Sequence, residues 1–209
     1  MKNYDLAVKS NENFIRIYEN VLSKDFCENL INKFENLRDL GELNSIDRQG
    51  KSTNDTYLEK HVKFDEELFI IVGAQNKAYK KYLDEFPILQ NSPSHKARFW
   101  KLRRIEIGDH YSNREWHYEQ ETAYVKDQGC IVSSMFYLND VEEGGETELP
   151  YQGIKVKPEA GKLMFFPSCY THTHRAIPPI SNLKYIIVSF LYFVIEKHDY
   201  RIPDGKERE

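Results

Sequence analysis

A chain of 209 residues is long enough for one domain with a full apolar core and has no need of disulfide or metal staples. Its net charge of −4 gives no general electrostatic drive toward nucleic acid or an anionic membrane, and its 14 Tyr and 12 Phe supply bulk for a core. The three cysteines, Cys27, Cys130 and Cys169, are odd in number and far apart, which excludes a disulfide framework or a zinc pattern and fits a reducing cytoplasm.

The first residues, MKNYDLAVKSNEN, are polar and lack the apolar centre of a signal peptide. Phe14-Ile-Arg-Ile-Tyr18 alternates and predicts a short strand. Ser23 is placed to cap a helix in which Phe26, Leu30, Ile31, Phe34 and Leu37 follow helical spacing. Residues 41–59 are polar and turn-rich, and they read as a long loop, either a lid or a solvated connector. Asp65 opens a second helix with Glu66 and Glu67 in its first turn, where negative charge suits the helix dipole. Leu68, Ile71, Val72, Tyr79, Tyr82 and Leu83 give that helix its apolar side.

After a break at Pro87 and 91–94 the texture changes. Residues 98–107, 131–138, 153–156, 162–166, 172–176 and 184–194 are β-rich runs separated by Gly108, Gly144-Gly145, Gly161 and Pro178-Pro179. Helices followed by a train of strands predict an α+β fold in which the strands close into a barrel or sandwich. The run near 186–195 is too short to span a bilayer, and the charged end at 204–209 is expected to fray.

The chemistry centres on Trp116-His-Tyr-Glu119. On an extended strand His117 and Glu119 would share a face, roughly 6–7 Å apart at the backbone, and could converge on one metal ion. A histidine from a neighbouring strand would complete two imidazoles and one carboxylate, the donor set of non-haem Fe(II) oxygenases. A His-x-Glu pair alone arises often on solvent-facing strands. Glu115 and Glu121 are rival carboxylates on the same face, Glu115 the closer. Downstream, His172 and His174 would face the same way on a strand, so periodicity does not choose between them. Lys184 opens the last strand, on the side of Ile186, Val188 and Phe190; it either meets an anion there or reaches water at the strand's open end.

These blocks resemble the 2-oxoglutarate and Fe(II)-dependent dioxygenases of the prolyl 4-hydroxylase type, in particular small versions encoded by marine bacteriophages. The resemblance runs from about 98 to 193. It is carried by Gly108-Asp-His-Tyr111, Trp116-His-Tyr-Glu119, Phe136-Tyr-Leu-Asn-Asp-Val-Glu-Glu-Gly-Gly-Glu-Thr147, Val156-Lys-Pro-Glu-Ala-Gly161, Phe165-Phe-Pro167, His174-Arg175 and Lys184-Tyr185. It implies a double-stranded β-helix (a cupin-like jelly roll) buttressed by N-terminal helices, with a helical part over about 1–95 and a catalytic core over about 96–195 of one domain. His117, Glu119 and His174 would hold iron. Lys184 would pair with the distal carboxylate of 2-oxoglutarate, and Tyr137 and Thr147 would lie against that cosubstrate. O2 would be the oxidant, with ascorbate as a further candidate. The substrate would be a small molecule or a peptidyl residue in the cytoplasm, of the host if the chain is phage-encoded, with no membrane partner.

Three departures stand out. Most hydroxylases of this type carry Asp two residues after the first histidine, whereas this chain and the phage-like versions carry Glu. Cys130 replaces the family's arginine seven residues before Tyr137, and three extra residues separate Tyr111 from His117. These last two changes are expected near the mouth of the site. Two other classes compete, a non-catalytic jelly-roll binding or structural module and a nucleic-acid dealkylase using the same cofactors. The acidic balance disfavours the second.

Overall fold

The computed structural model describes residues 13–43, 46–48, 51–92, 94–109, 116–121 and 129–193. Two helices lie among them. The first, α1 (Lys24–Asp39), begins where the Ser23 hydroxyl accepts the Phe26 N–H at 3.1 Å, and it buries Cys27, Leu30, Phe34 and Leu37 along one stripe. The second, α2 (Asp65–Glu85), carries three acidic residues in its first turn and buries Ile71, Gln75, Ala78, Tyr79 and Tyr82.

Ten strands occupy the described residues: β1 (Arg16–Tyr18), β2 (Ile46–Arg48), β3 (Lys51–Tyr57), β4 (His95–Ile105), β5 (Cys130–Tyr137), β6 (Thr147–Leu149), β7 (Ile154–Val156), β8 (Leu163–Pro167), β9 (Arg175–Ala176) and β10 (Lys184–Phe193). Seven form one sheet in the order β1-β8-β5-β10-β4-β3-β2, and a second sheet runs β7-β6-β9. Every pairing is antiparallel.

The period of two decides which side chain goes where. Tyr185, Ile187 and Leu191 of β10 join Trp100, Leu102, Phe136 and Phe165 in a core with both helices. Ile186 and Val188, on the opposite face, join Tyr137, Met164 and Phe166, and meet Leu149 and Val156 of the small sheet. The large sheet is therefore a septum, with helices outside and a second sheet inside. That double burial explains why β10 reads as an almost unbroken apolar run.

The structure departs from the sequence expectation in two places. Within 41–59, expected to be a lid or connector, β3 pairs along β4 (Asp55 opposite Arg103, Tyr57 opposite Lys101) and β2 follows outside it, so the described part is sheet edge. Strand β3, Lys-Ser-Thr-Asn-Asp-Thr-Tyr, lacks apolar alternation because Asp55 and Thr56 are buried as polar groups. The strand expected over 172–176 is confined to 175–176, with a 3-10 turn at Tyr170–His172 before it. The charged segment 204–209 lies outside the described residues.

Gly161 ties the entry of α1 to the large sheet. Its carbonyl accepts the N–H groups of Val21 and Leu22, its φ is +83°, and a Cβ there would stand 2.1 Å from the Leu22 carbonyl oxygen. Gly161→Ala is therefore expected to lower the unfolding free energy by more than about 1 kcal/mol, read as a denaturation midpoint shift at unchanged slope.

Candidate metal centre

His117 and His174 face each other across an isolated antiparallel bridge, each N–H donating to the other's carbonyl at 3.0 and 2.9 Å. Residues paired in this way project their side chains to the same face. The two imidazoles accordingly lie with centroids 4.4 Å apart, tilted by 52°. Glu119 opens a 3-10 turn, Glu119–Glu121, and its Oε1 stands 3.6 Å from Nε2 of each histidine.

The expected extended strand under His117 and Glu119 is thus absent, and the backbone turns instead. Gln120 fixes the turn. Its N–H donates to the Ser168 carbonyl at 3.1 Å and its side-chain amide to the Cys130 carbonyl at 2.7 Å. A glutamine between two glutamates gives no sign of this role in the sequence. Glu115 lies outside the described residues, and the backbone of Glu121 closes the same turn. Among the described residues, the group able to hold a metal is His117, Glu119 and His174, with donor atoms all within 4.8 Å of one another.

His172 is settled by its partners. Its Nε2 donates to the Asn13 carbonyl at 2.8 Å, which leaves Nδ1 to accept from the Thr171 hydroxyl at 2.9 Å, so the ring is engaged away from the cluster. Its backbone contributes instead. The His172 carbonyl lies 3.1 Å from His174 Nδ1, and a carbonyl can only accept, so Nδ1 carries a proton, and in the neutral ring Nε2 is the nitrogen with a lone pair for a metal. The Phe166 ring holds the same imidazole edge-on at 4.8 Å.

This donor set fits a divalent transition metal. Bonds of about 2.1 Å at right angles place neighbouring donors about 3 Å apart, so the 3.6 Å separations close with a small contraction. Burial on its own raises the Glu119 pKa, but the two imidazoles outweigh it and hold the carboxyl well below the usual carboxylate range. The site therefore presents one anionic oxygen and two ring nitrogens.

A cavity leads from this cluster to Lys184, with Ile186, Val188 and Met135 along its wall. Lys184 does not reach water at the strand end; it is 1% exposed, donates to the Gly145 carbonyl at 2.6 Å, and sits 5.6 Å from the centre of the Tyr137 ring. Burial pulls its pKa down to about 7, with Arg103 adding to the shift and Glu146 opposing it. Thr147 lines the cavity, and Tyr137 reaches it indirectly, its hydroxyl donating to Thr147 Oγ1 at 2.8 Å. Cys130, expected near the mouth, is instead buried in β5 with its Sγ 2.9 Å from Ser168 Oγ. Outside the cluster the Arg175 guanidinium covers the Trp116 ring at 4.2 Å while its Nε holds Glu148 at 2.7 Å.

Comparison with known proteins agrees with this geometry. Residues 101–192 match the family model of the 2OG-Fe(II) oxygenase superfamily, a stretch that contains all three candidate ligands and Lys184. The chain is 27% identical over 124 residues to "Probable prolyl 4-hydroxylase 9" of Arabidopsis thaliana, spanning 47% of this chain and 42% of that protein's length. A viral collagen prolyl hydroxylase from Paramecium Bursaria Chlorella virus-1, in its 2OG complex, superposes with a TM-score of 0.64 at 20% identity, over 87% of this chain and 97% of the viral one. A Pseudomonas putida prolyl-4-hydroxylase gives 0.58 at 16% identity, over 87% and 93% of the two chains. A prolyl hydroxylase from Trichoplax adhaerens, bound to a peptide of hypoxia inducible factor, gives 0.61 at 17%, over 88% and 84%. The fold is the double-stranded β-helix of the 2OG-Fe(II) oxygenases. That family works with Fe(II), 2-oxoglutarate and O2. No helix among the described residues is long and apolar enough to cross a membrane.

Removing the Gln120 side chain releases one of two ties on the turn that carries Glu119. Gln120→Ala is expected to weaken Mn(II) affinity about tenfold or more, measured by calorimetry, while the thermal midpoint moves little. Unchanged affinity would show that the backbone bond to Ser168 holds the turn alone.

Proposed function

We propose that the chain is an Fe(II)- and 2-oxoglutarate-dependent dioxygenase, a hydroxylase of the prolyl 4-hydroxylase type. The observation that carries this reading is one cavity with His117, Glu119 and His174 at one end and the buried cation Lys184 at the other. When bound, the iron supplies the oxygen chemistry that couples decarboxylation of 2-oxoglutarate to succinate with hydroxylation of a substrate C–H bond.

The chain's own residues bind and orient. Lys184 grips the distal carboxylate of 2-oxoglutarate through a charge-assisted hydrogen bond. Tyr137 donates to Thr147, and the Thr147 hydroxyl itself donates to the Met135 sulfur at 3.5 Å, a weak acceptor that it can exchange for that same carboxylate. Ile186, Val188 and Met135 keep water from the chain of the cosubstrate. A pure binding module has no use for two imidazoles, a carboxylate and a buried lysine in one cavity.

A prolyl residue in a peptide is the first substrate to test, because the Arabidopsis relative is named for that activity. The net charge of −4 supports a small-molecule or peptidyl substrate over nucleic acid. The likeness to marine-phage versions rests on the motif blocks, which also bring ascorbate as an accessory reductant. Three free cysteines support a cytoplasmic setting.

Anaerobic titration of Fe(II) and 2-oxoglutarate tests the proposal. A weak visible charge-transfer absorption should develop with both present and vanish in His174→Ala. Lys184→Ala should cost the cosubstrate roughly 3–5 kcal/mol of binding, as for a broken buried ion pair. Metal binding with no response to 2-oxoglutarate would sink the reading.

Protonation gives a second check. With the Lys184 pKa pulled down to about 7 by burial, the lysine is neutral above that pH, yet the carboxylate requires the ammonium form. Binding must then take up a proton. Affinity for 2-oxoglutarate should fall as pH rises from 7 to 9, by up to about tenfold per unit. Calorimetry at pH 8 in buffers of different ionisation heat should register close to one proton taken up; no uptake counts against the Lys184 assignment.

A further inference from the structure

The cavity holds a second buried cation. Arg103 of β4 is 6% exposed and lines the cavity together with Lys184. Register fixes its place. Lys184 pairs with Ile105 and Ile186 pairs with Arg103, so Arg103 sits on the inner face one inward-facing position, roughly 7 Å, beyond the Lys184 row. That step leads toward the metal cluster. Further along β10, Phe190 pairs with Ser133, Ser133 pairs with Phe166, and the Phe166 ring lies against His174. On the side away from Ile186, Asp55 of β3 pairs with Arg103 and holds its carboxylate oxygen 3.5 Å from the guanidinium Nε.

We propose that Arg103, braced by Asp55, is a second anion-binding residue of this cavity and takes the 2-oxo-acid end of the cosubstrate while Lys184 takes the other carboxylate. The proposal rests on the cavity being a 2-oxoglutarate site. A five-carbon dicarboxylate anchored on Lys184 places its far carboxylate about one inward-facing position along β4 and β10, which is the Arg103 row. A planar guanidinium matches a carboxylate with two parallel N–H donors, and in a cavity closed to water such a pair is stronger than at the surface. The charge count agrees. Glu119 offsets half the charge of a divalent ion, so an acid with two carboxylates gains from a cation in the cavity besides Lys184. An ion pair that served only to join β3 to β4 would have no reason to line the cavity. A contact with the primary substrate would place the cation at the rim instead of on the row between Lys184 and the histidines.

Calorimetry on the Mn(II)-loaded protein under anaerobic conditions separates the possibilities. Two probes are used, 2-oxoglutarate and pyruvate, the latter carrying the 2-oxo-acid end without the second carboxylate. Arg103→Met should weaken both tenfold or more, whereas Lys184→Met should weaken 2-oxoglutarate and leave pyruvate as in the unaltered protein. Because Arg103→Met strands a buried Asp55, the double variant Asp55→Asn with Arg103→Met is measured alongside, with thermal melting to confirm folding. Arg103→Lys keeps the charge without the fork and should fall between. If the double variant folds and binds 2-oxoglutarate with unaltered affinity, Arg103 is a structural ion pair and the proposal fails. It also fails if 2-oxoglutarate weakens while pyruvate does not, since Arg103 would then share the distal carboxylate with Lys184. If the unaltered protein binds Mn(II) but neither acid, the cosubstrate reading falls and this proposal with it.

Discussion

Two backbone hydrogen bonds between His117 and His174 hold the candidate centre together, because they set both imidazoles side by side on one face. Each such bond contributes only about 1 kcal/mol net, so the bridge cannot stand alone. It is supported on every side. The Phe166 ring and the His172 carbonyl fix the His174 ring, Gln120 ties the following turn to β5 and Ser168, and Arg175 lies flat on Trp116 while gripping Glu148. The small sheet is short, with only two residues in β9, and its contribution is to deliver His174 and Thr147 to the inner face of the large one. Rigidity at the centre is therefore a sum of modest contacts from many elements.

The large sheet makes this possible by being buried on both sides. Its outer face is packed by α1 and α2, and that packing frees the inner face of β10, β4 and β5 to carry groups chosen for chemistry. Lys184 is the clearest case. Burying an ammonium is unfavourable, and the Gly145 carbonyl with the face of Tyr137 only partly compensates, which is why its proton is held so loosely. A buried cation left under-compensated by its protein neighbours is one whose interactions improve beside an anion. On the proposed reading, the fold accepts a local destabilisation that cosubstrate binding would recover.

The sequence made the helices legible because capping and periodicity are local: Ser23 with its 3-4 spaced apolar residues, and the acidic first turn at Asp65. It made β10 and β5 legible because both are mainly apolar, broken in the middle only by Ser189 and by Ser133-Ser134. His117, Glu119 and His174 do come together, but not along an extended strand, since a spacing of two says nothing about whether the chain extends or turns after His117. What decides that is Gln120 meeting Ser168, some fifty residues away in sequence. The choice between His172 and His174 was likewise non-local, resting on Asn13. Strand β3 was hidden because its buried groups are polar and make sense only beside Arg103. Arg103 itself sits in a basic stretch, Lys101-Leu-Arg-Arg104, where inward and outward positions look alike until register is known.

The departures from the prolyl 4-hydroxylase pattern meet in one place. Glu119, longer by a methylene than the aspartate usual in that family, rides on a 3-10 turn, and the turn is what allows the longer side chain to fold back to within 3.6 Å of both imidazoles. The turn in turn needs a surface to lie on, and it finds the edge of β5, where Gln120 donates to the Cys130 carbonyl. Cys130 stands where the family has arginine. Its side chain is 1% exposed and packs against Ser168, which also bonds Ser133, leaving no room for a guanidinium. A long cation at that position would push Ser168 and the turn apart and carry Glu119 away from the histidines. The small residue at 130 and the long carboxylate at 119 are thus two halves of one arrangement.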